Sequence, residues 1–163
     1  MKTIPSMVVA AMIVSVPCIA GAQTLVTERS ISLNAALELA TASLERCRAD
    51  GYKVTVTVLN RHARTAVVLS DDGVNPHTVE NSMRKAYTAF TTRSPSVEMG
   101  KRAQPGLSGF LMLDKITTLE GGLPIFAGKE LVGSIGISGA PGGDKDAACA
   151  QVGLDRIAKG LAG

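Results

Sequence analysis

Residues 121–146 read GGLPIFAGKELVGSIGISGAPGGDKD, and no other stretch constrains the fold as tightly. Two apolar runs, residues 123–127 and 131–138, are separated by Gly128-Lys129-Glu130. Apolar runs of that length joined by a short glycine-containing connection predict a β-hairpin. Gly133, Gly136 and Gly139 recur at every third position. Glycine weakens a strand, so its repeated use there implies a bulge or the close approach of another backbone or a ligand. Pro124 follows the pair Gly121-Gly122 at the start of its strand, where a missing N–H is tolerated. Ala140-Pro141-Gly142-Gly143 then forms a loop, with Asp144 as the cap of a last helix.

The N-terminus has the three parts of an export signal: Lys2, an apolar core over residues 7–16, and Ala20-Gly21-Ala22 as a small-residue cleavage site. The apolar core falls short of the roughly 20 residues of a bilayer span. The sequence therefore predicts a signal peptide over 1–22 and one domain over 23–163, in a periplasmic or secreted protein. With only 3% aromatic residues and no Trp, the core of that domain must be aliphatic. The formal charge of +3 is small, and its Lys and Arg residues are scattered among acids, which gives no case for nucleic acid. After cleavage, Cys47 and Cys149 remain in an oxidising compartment, with no C-x-x-C pair to suggest zinc or redox chemistry.

Ser32 predicts an N-cap and residues 33–49 a helix, with Ala36, Leu37, Ala40, Leu44 and Cys47 inward; Asp50-Gly51 ends it. Residues 54–58 alternate Val and Thr, the pattern of a half-buried strand, and residues 65–70 make a second after the turn Arg61-His62-Ala63-Arg64. His62 reads as a solvated turn histidine and Asp71-Asp72-Gly73 as a turn. Asn75 and Pro76 open the next helix, with Val79, Met83, Ala86 and Phe90 as its apolar stripe. Glu80 and Arg84 pair at i, i+4 on the other side, beside Lys85 and Thr88. His77 falls in the first turn, where the helix end disfavours imidazolium, and neutral imidazole ligates metal. By spacing alone it either decorates a helix start or serves as a ligand. Ser94-Pro95 begins a shorter helix, Gln104-Pro105-Gly106 breaks it, and residues 116–119 are a candidate third strand. Ala148, Cys149, Val152 and Ile157 supply the buried side of the last helix. Short antiparallel strand groups with helices over them define an α+β fold.

No H-E-x-x-H, nucleophile elbow or Walker A is present, so no enzyme class is indicated. The glycine loop at 139–143 reads as a loop and cap, because Asp144 and Asp146 would repel phosphate.

GGLPI, the hairpin and GSIGISGAPGGDKDAACAQVG, with RKAYTAF and VTVTVLNRHARTAVVLSDDG upstream, resemble the GlcG/HbpS-like family of haem-binding proteins. The family is also called the haem-degrading domain and includes the C-terminal domain of PduO-type proteins. The resemblance implies a profilin-like sandwich, a central five-stranded antiparallel sheet with helices on both faces, and homo-oligomeric assembly. In such a fold the terminal helices lie side by side, which leaves Cys47 and Cys149 either bridged or as buried thiols. The resemblance further implies a haem or related tetrapyrrole ligand between the helix starting at Pro76 and the Gly121-Gly122-Leu123-Pro124 turn. His77 is then the candidate axial ligand, Arg84 and Lys85 are candidates for the propionates, and Thr88, Gly121, Gly122 and Pro124 complete the lining. The alternative is an accessory protein or enzyme of small hydroxy-acid metabolism, in which Arg84 holds a carboxylate and no haem is needed.

Overall fold

The computed structural model describes residues 24–162 except 103–105 and 107. The expected signal peptide over 1–22 lies outside the described residues. Among the described residues nine elements follow in order: α1 (Leu33–Ala49), β1 (Thr55–Asn60), β2 (Thr65–Ser70), α2 (His77–Thr92), α3 (Val97–Lys101), α4 (Ser108–Leu111), β3 (Gly122–Ala127), β4 (Glu130–Ser138) and α5 (Gly143–Leu161). The four strands form one antiparallel sheet in the order β2-β1-β4-β3. α2 packs on one face; α1 and α5, side by side, cover the other. Among the described residues, no helix is long and apolar enough to cross a membrane.

The expected fifth strand is not a strand. Residues 116–119 have their polar groups tied to neighbouring side chains: Thr117 N–H donates to Thr88 Oγ1 (2.9 Å) and Ser96 Oγ donates to Leu119 C=O (2.7 Å). A segment satisfied in this way has no reason to join a ladder. Ser96 also receives the Gly122 N–H on its hydroxyl (2.9 Å), so it fastens the loop to β3 rather than capping α3.

Local signals in α1 were followed closely, with Ser32 Oγ accepting from Ala35 N–H and Gly51 in the left-handed region after the helix. One position is corrected: Leu37 is exposed, and Leu39 and Ser43 face inward with Ala36, Ala40, Leu44 and Cys47. On α5, Ala148 and Val152 are exposed, while Asp146, Ala150 and Gly153 join Cys149 and Ile157 on the buried side. Gly142, not Asp144, occupies its N-cap position. Cys47 and Cys149 form a disulfide with Cα atoms 5.6 Å apart, bridging α1 to α5.

β1 is buried on both sides rather than half-buried. Val54, Val56 and Val58 join the aliphatic core with Ile135 and Ile137 of β4, under α1 and α5. The alternate residues face α2, where Thr55 shares a hydrogen bond with Thr78 (2.8 Å) and Thr57 with Ser82 (2.7 Å). The expected apolar stripe of α2 is therefore rotated. Val79 is 45% exposed, Met83 and Phe90 are half-buried, and the buried face is Thr78, Ser82, Lys85, Ala86 and Ala89, with Thr88 alongside. Small residues win because the helix lies directly on the sheet: a Cβ on Gly136 would strike the Ser82 carbonyl and the Ala86 backbone.

Candidate functional site

A cleft of about 690 Å³ opens where α2, the 118–120 segment and the 138–143 loop converge. That size is within the range of small-molecule sites, roughly 300–1,000 Å³. Tyr52, Val74, Val97, Leu119 and Pro141 give it apolar walls. Lys53, His77 and Lys85 bring basic side chains to it, and Glu120 and Asp146 bring acids.

The charged centre of the cleft is a buried ion pair. Lys85 Nζ lies 2.7 Å from Asp146 Oδ2, with side chains 4% and 3% exposed. The other carboxylate oxygen, Oδ1, accepts the Ala140 N–H at 3.1 Å, which fixes the 138–143 loop to the first turn of α5. Burial pushes the Asp146 carboxyl up from its usual range, with nearby Asp144 adding to the rise; the charge and hydrogen bond of Lys85 and the Ala140 N–H oppose it. Gly121, at φ +120°, passes directly over the pair: a Cβ there would sit 2.8 Å from Asp146 Cβ and 3.0 Å from Lys85 Nζ. Only a residue without a side chain meets both demands. Asn81 Nδ2 donates to Ser138 Oγ (2.9 Å) and Thr78 Oγ1 to the Asn75 carbonyl (2.6 Å), which holds the α2 wall.

The residues expected at the site separate into groups. His77 and Lys85 line the cleft, His77 exposed in the first turn of α2 and Lys85 two turns further on. Gly121 and Gly122 are both buried on Lys85, Gly121 beside its ammonium and Gly122 against its backbone. Arg84 points elsewhere and pairs with Glu80 at 2.6 Å. Thr88 is buried and occupied with Thr117 N–H. Pro124 borders a separate depression beside Phe126, Gln151 and Leu154. Lys53 and Asn81 carry no signal in the sequence, and Asp146 reads there only as a repellent for anions, whereas Gly139 makes the close backbone approach its recurrence implies, against the Lys53 carbonyl. The signal for Asp146 was its place in the first turn after a glycine loop. Its partner, 61 residues earlier, was not readable locally.

One antiparallel sheet between two helical layers, with a walled cleft beside α2, puts the chain in the α+β sandwich class. The family model for the haem degrading protein HbpS-like matches residues 31–155, and the chain belongs to that family. A double mutant of HbpS from Streptomyces reticuli superposes with a TM-score of 0.78 at 33% identity, over 86% of this chain and 96% of that one. The ORFY protein of Klebsiella pneumoniae gives a TM-score of 0.78 at 25% identity, over 83% and 95% of the two chains. PduOC, solved as a haem complex, gives 0.73 at 26% identity, over 78% and 95%. A 15.0 kDa protein encoded between dhaT and dhaS in Citrobacter freundii is 28% identical over 130 residues, 77% of this chain and 91% of its own.

The cleft's residues fit a tetrapyrrole. Tyr52, Val74, Val97, Leu119 and Pro141 supply apolar wall between polar groups, His77 offers an imidazole, and Lys53 offers an ammonium to a carboxylate, with Lys85 behind it paired to Asp146. No group of three His, Cys, Asp or Glu suited to a bare metal ion occurs among the described residues.

Proposed function

We propose that this chain is an exported protein that binds haem, or a related tetrapyrrole, in the cleft between α2 and the 138–143 loop. The observation that carries the reading is a relative of the same fold solved with haem, set beside a cleft of suitable size in this chain. His77 is the axial ligand in this reading, and Lys85, with Lys53 nearer the surface, receives the propionates. Gly121 and Gly122 keep the floor narrow. Arg84, Thr88 and Pro124 take no direct part, since each is engaged or lies elsewhere. Export is supported by the tripartite segment at 1–22 and by the Cys47–Cys149 disulfide, which suits an oxidising compartment. Self-association is supported by Leu33, Leu37 and Val152, apolar and exposed on α1 and α5.

A second reading, a small organic acid without haem, draws on the ammonium of Lys85 at the bottom of the cleft. A haemin titration of residues 23–163, followed in the Soret region, separates the two. The haem reading expects a saturable shifted band, moved and weakened in His77→Ala and unchanged in the control Arg84→Ala. A parent protein with no Soret change removes haem and leaves the small-acid reading.

A further inference from the structure

We propose that β2 is a contact between two copies of this chain, which pair their open strand edges antiparallel about a two-fold axis at Val68. β2 ends the sheet, and α2, which lies over β1, β4 and β3, barely reaches it. Val68 is 42% exposed in consequence. The two edges of the sheet are guarded differently. β3, at the other edge, carries Pro124, and its register with β4 shifts between Ile125 and Phe126. Both devices discourage a further strand. β2 reads Thr-Ala-Val-Val-Leu-Ser, without charge or proline, and its register shift with β1 lies at the Thr65 end, before Val67.

The existing ladder sets the register of the contact. Asp71 N–H donates to the Val54 carbonyl (3.0 Å), and Leu69 and Val67 stand opposite Val56 and Val58. Hydrogen-bonded pairs alternate along an antiparallel ladder. Residues 67, 69 and 71 therefore turn their backbone groups to β1, while Ala66, Val68 and Ser70 turn theirs outward. One symmetric arrangement satisfies all the outward groups: Val68 opposite Val68 of the second copy, and Ala66 opposite Ser70. The same register sets Val67 against Leu69 on the α1 side and brings Arg64 across from Asp72 beyond the strand ends. Arg64 and Asp72 are exposed. Their neighbours are engaged within the chain: Asp71 with Arg48 at 2.9 Å, and Arg61 and His62 with Glu28 at 3.7 and 3.8 Å. The basic end of each strand thus meets the acidic end of the other. An edge that matches itself in shape and in charge selects a second copy over an unrelated strand. This contact lies apart from Leu33, Leu37 and Val152, and it does not depend on what the cleft binds.

Amide exchange of residues 23–163, followed by NMR over a range of protein concentration with sedimentation alongside, tests it. In the associated protein the Ala66, Val68 and Ser70 amides should exchange about tenfold slower than in the dilute chain, or slower still. Arg64→Asp and Asp72→Arg should each weaken association about tenfold, because both symmetric ends become repulsive. Mixing the two variants in equal amounts should restore it, since each supplies the charge that the other lacks. Misfolded variants would not rescue each other. Val68→Cys, with Cys47 and Cys149 already bridged, should give a cross-linked dimer on mild oxidation. A chain that remains monomeric overturns the proposal. So does association in which these three amides exchange as in the dilute chain, which would move the contact to another face. A mixture that associates no better than either variant alone overturns the pairing about Val68. Haemin enters none of these outcomes, so the ligand reading stands or falls separately.

Discussion

On the α1/α5 face the sheet presents Val56, Val58, Ile135 and Ile137 to Leu39, Leu44 and the Cys47–Cys149 bridge. On the α2 face it presents Thr55, Thr57, Gly136 and Ser138 to Thr78, Ser82, Ala86 and Asn81. The first layer is held by area removed from water, at about 25 cal/mol per Å² of apolar surface, and by a covalent tie. The second is held by close backbone approach and by hydroxyl pairs, each of modest net worth, with an ion pair at one end. The cleft belongs to the second layer. The polar layer brings hydrogen-bonding side chains to the wall of the cleft, whereas the core under α1 and α5 is mainly aliphatic.

The contrast predicts unequal responses, and the largest is on the aliphatic side. Replacing Cys47 and Cys149 by Ala removes a cross-link between residues 102 apart in sequence. A loop of about that length is worth roughly 4.7 kcal/mol in the chain-entropy account. Equilibrium denaturation should show a loss of that order while ligand binding at low temperature survives. A loss confined to a few tenths of a kcal/mol would mean that the bridge adds little to the packing.

Next in size is the ion pair. Lys85→Met leaves Asp146 buried without its partner and should cost about 3 kcal/mol or more. The double change Lys85→Met, Asp146→Leu should recover most of that stability, because a matched apolar pair needs no desolvated charge. Stability recovered without ligand binding would show that the pair is kept for the site. If the double variant is as unstable as the single one, the pair is chiefly structural and the comparison of layers weakens.

The smallest effect is expected from Thr57→Val. It removes one partner of the Thr57–Ser82 hydrogen bond at nearly constant volume, for about 1 kcal/mol. Denaturant midpoints would measure it. A stabilised variant would say that α2 is held by contact area after all.

The same division explains what the sequence disclosed. Elements with local signals were legible: α1 through Ser32 and Gly51, β2 by its run, and the β3–β4 hairpin around Gly128. The inward face of α2 was not. Periodicity favours Val79, Met83 and Phe90, but the approach to Gly136 admits only Ser82 and Ala86 at the contact. The same periodicity puts Lys85 on the side opposite that stripe, yet it is buried in the structure. The expected fifth strand failed because Thr88 and Ser96, distant in sequence, take up the polar groups of residues 117 and 119. Of the residues the sequence singles out, His77 and Lys85 line the cleft and Gly121 and Gly122 pack against Lys85, whereas Asp146 required the tertiary contact between α2 and α5.

The location of haem iron tests the central claim most directly. Crystals of residues 23–163 grown with haemin, with anomalous scattering recorded at the iron edge, give the metal position independently of any spectral assignment. The account predicts a single peak per chain inside the cleft, within bonding distance of the His77 imidazole, with the porphyrin carboxylates toward Lys85. A peak outside the cleft, for instance in the depression bordered by Pro124 and Leu154, would contradict it.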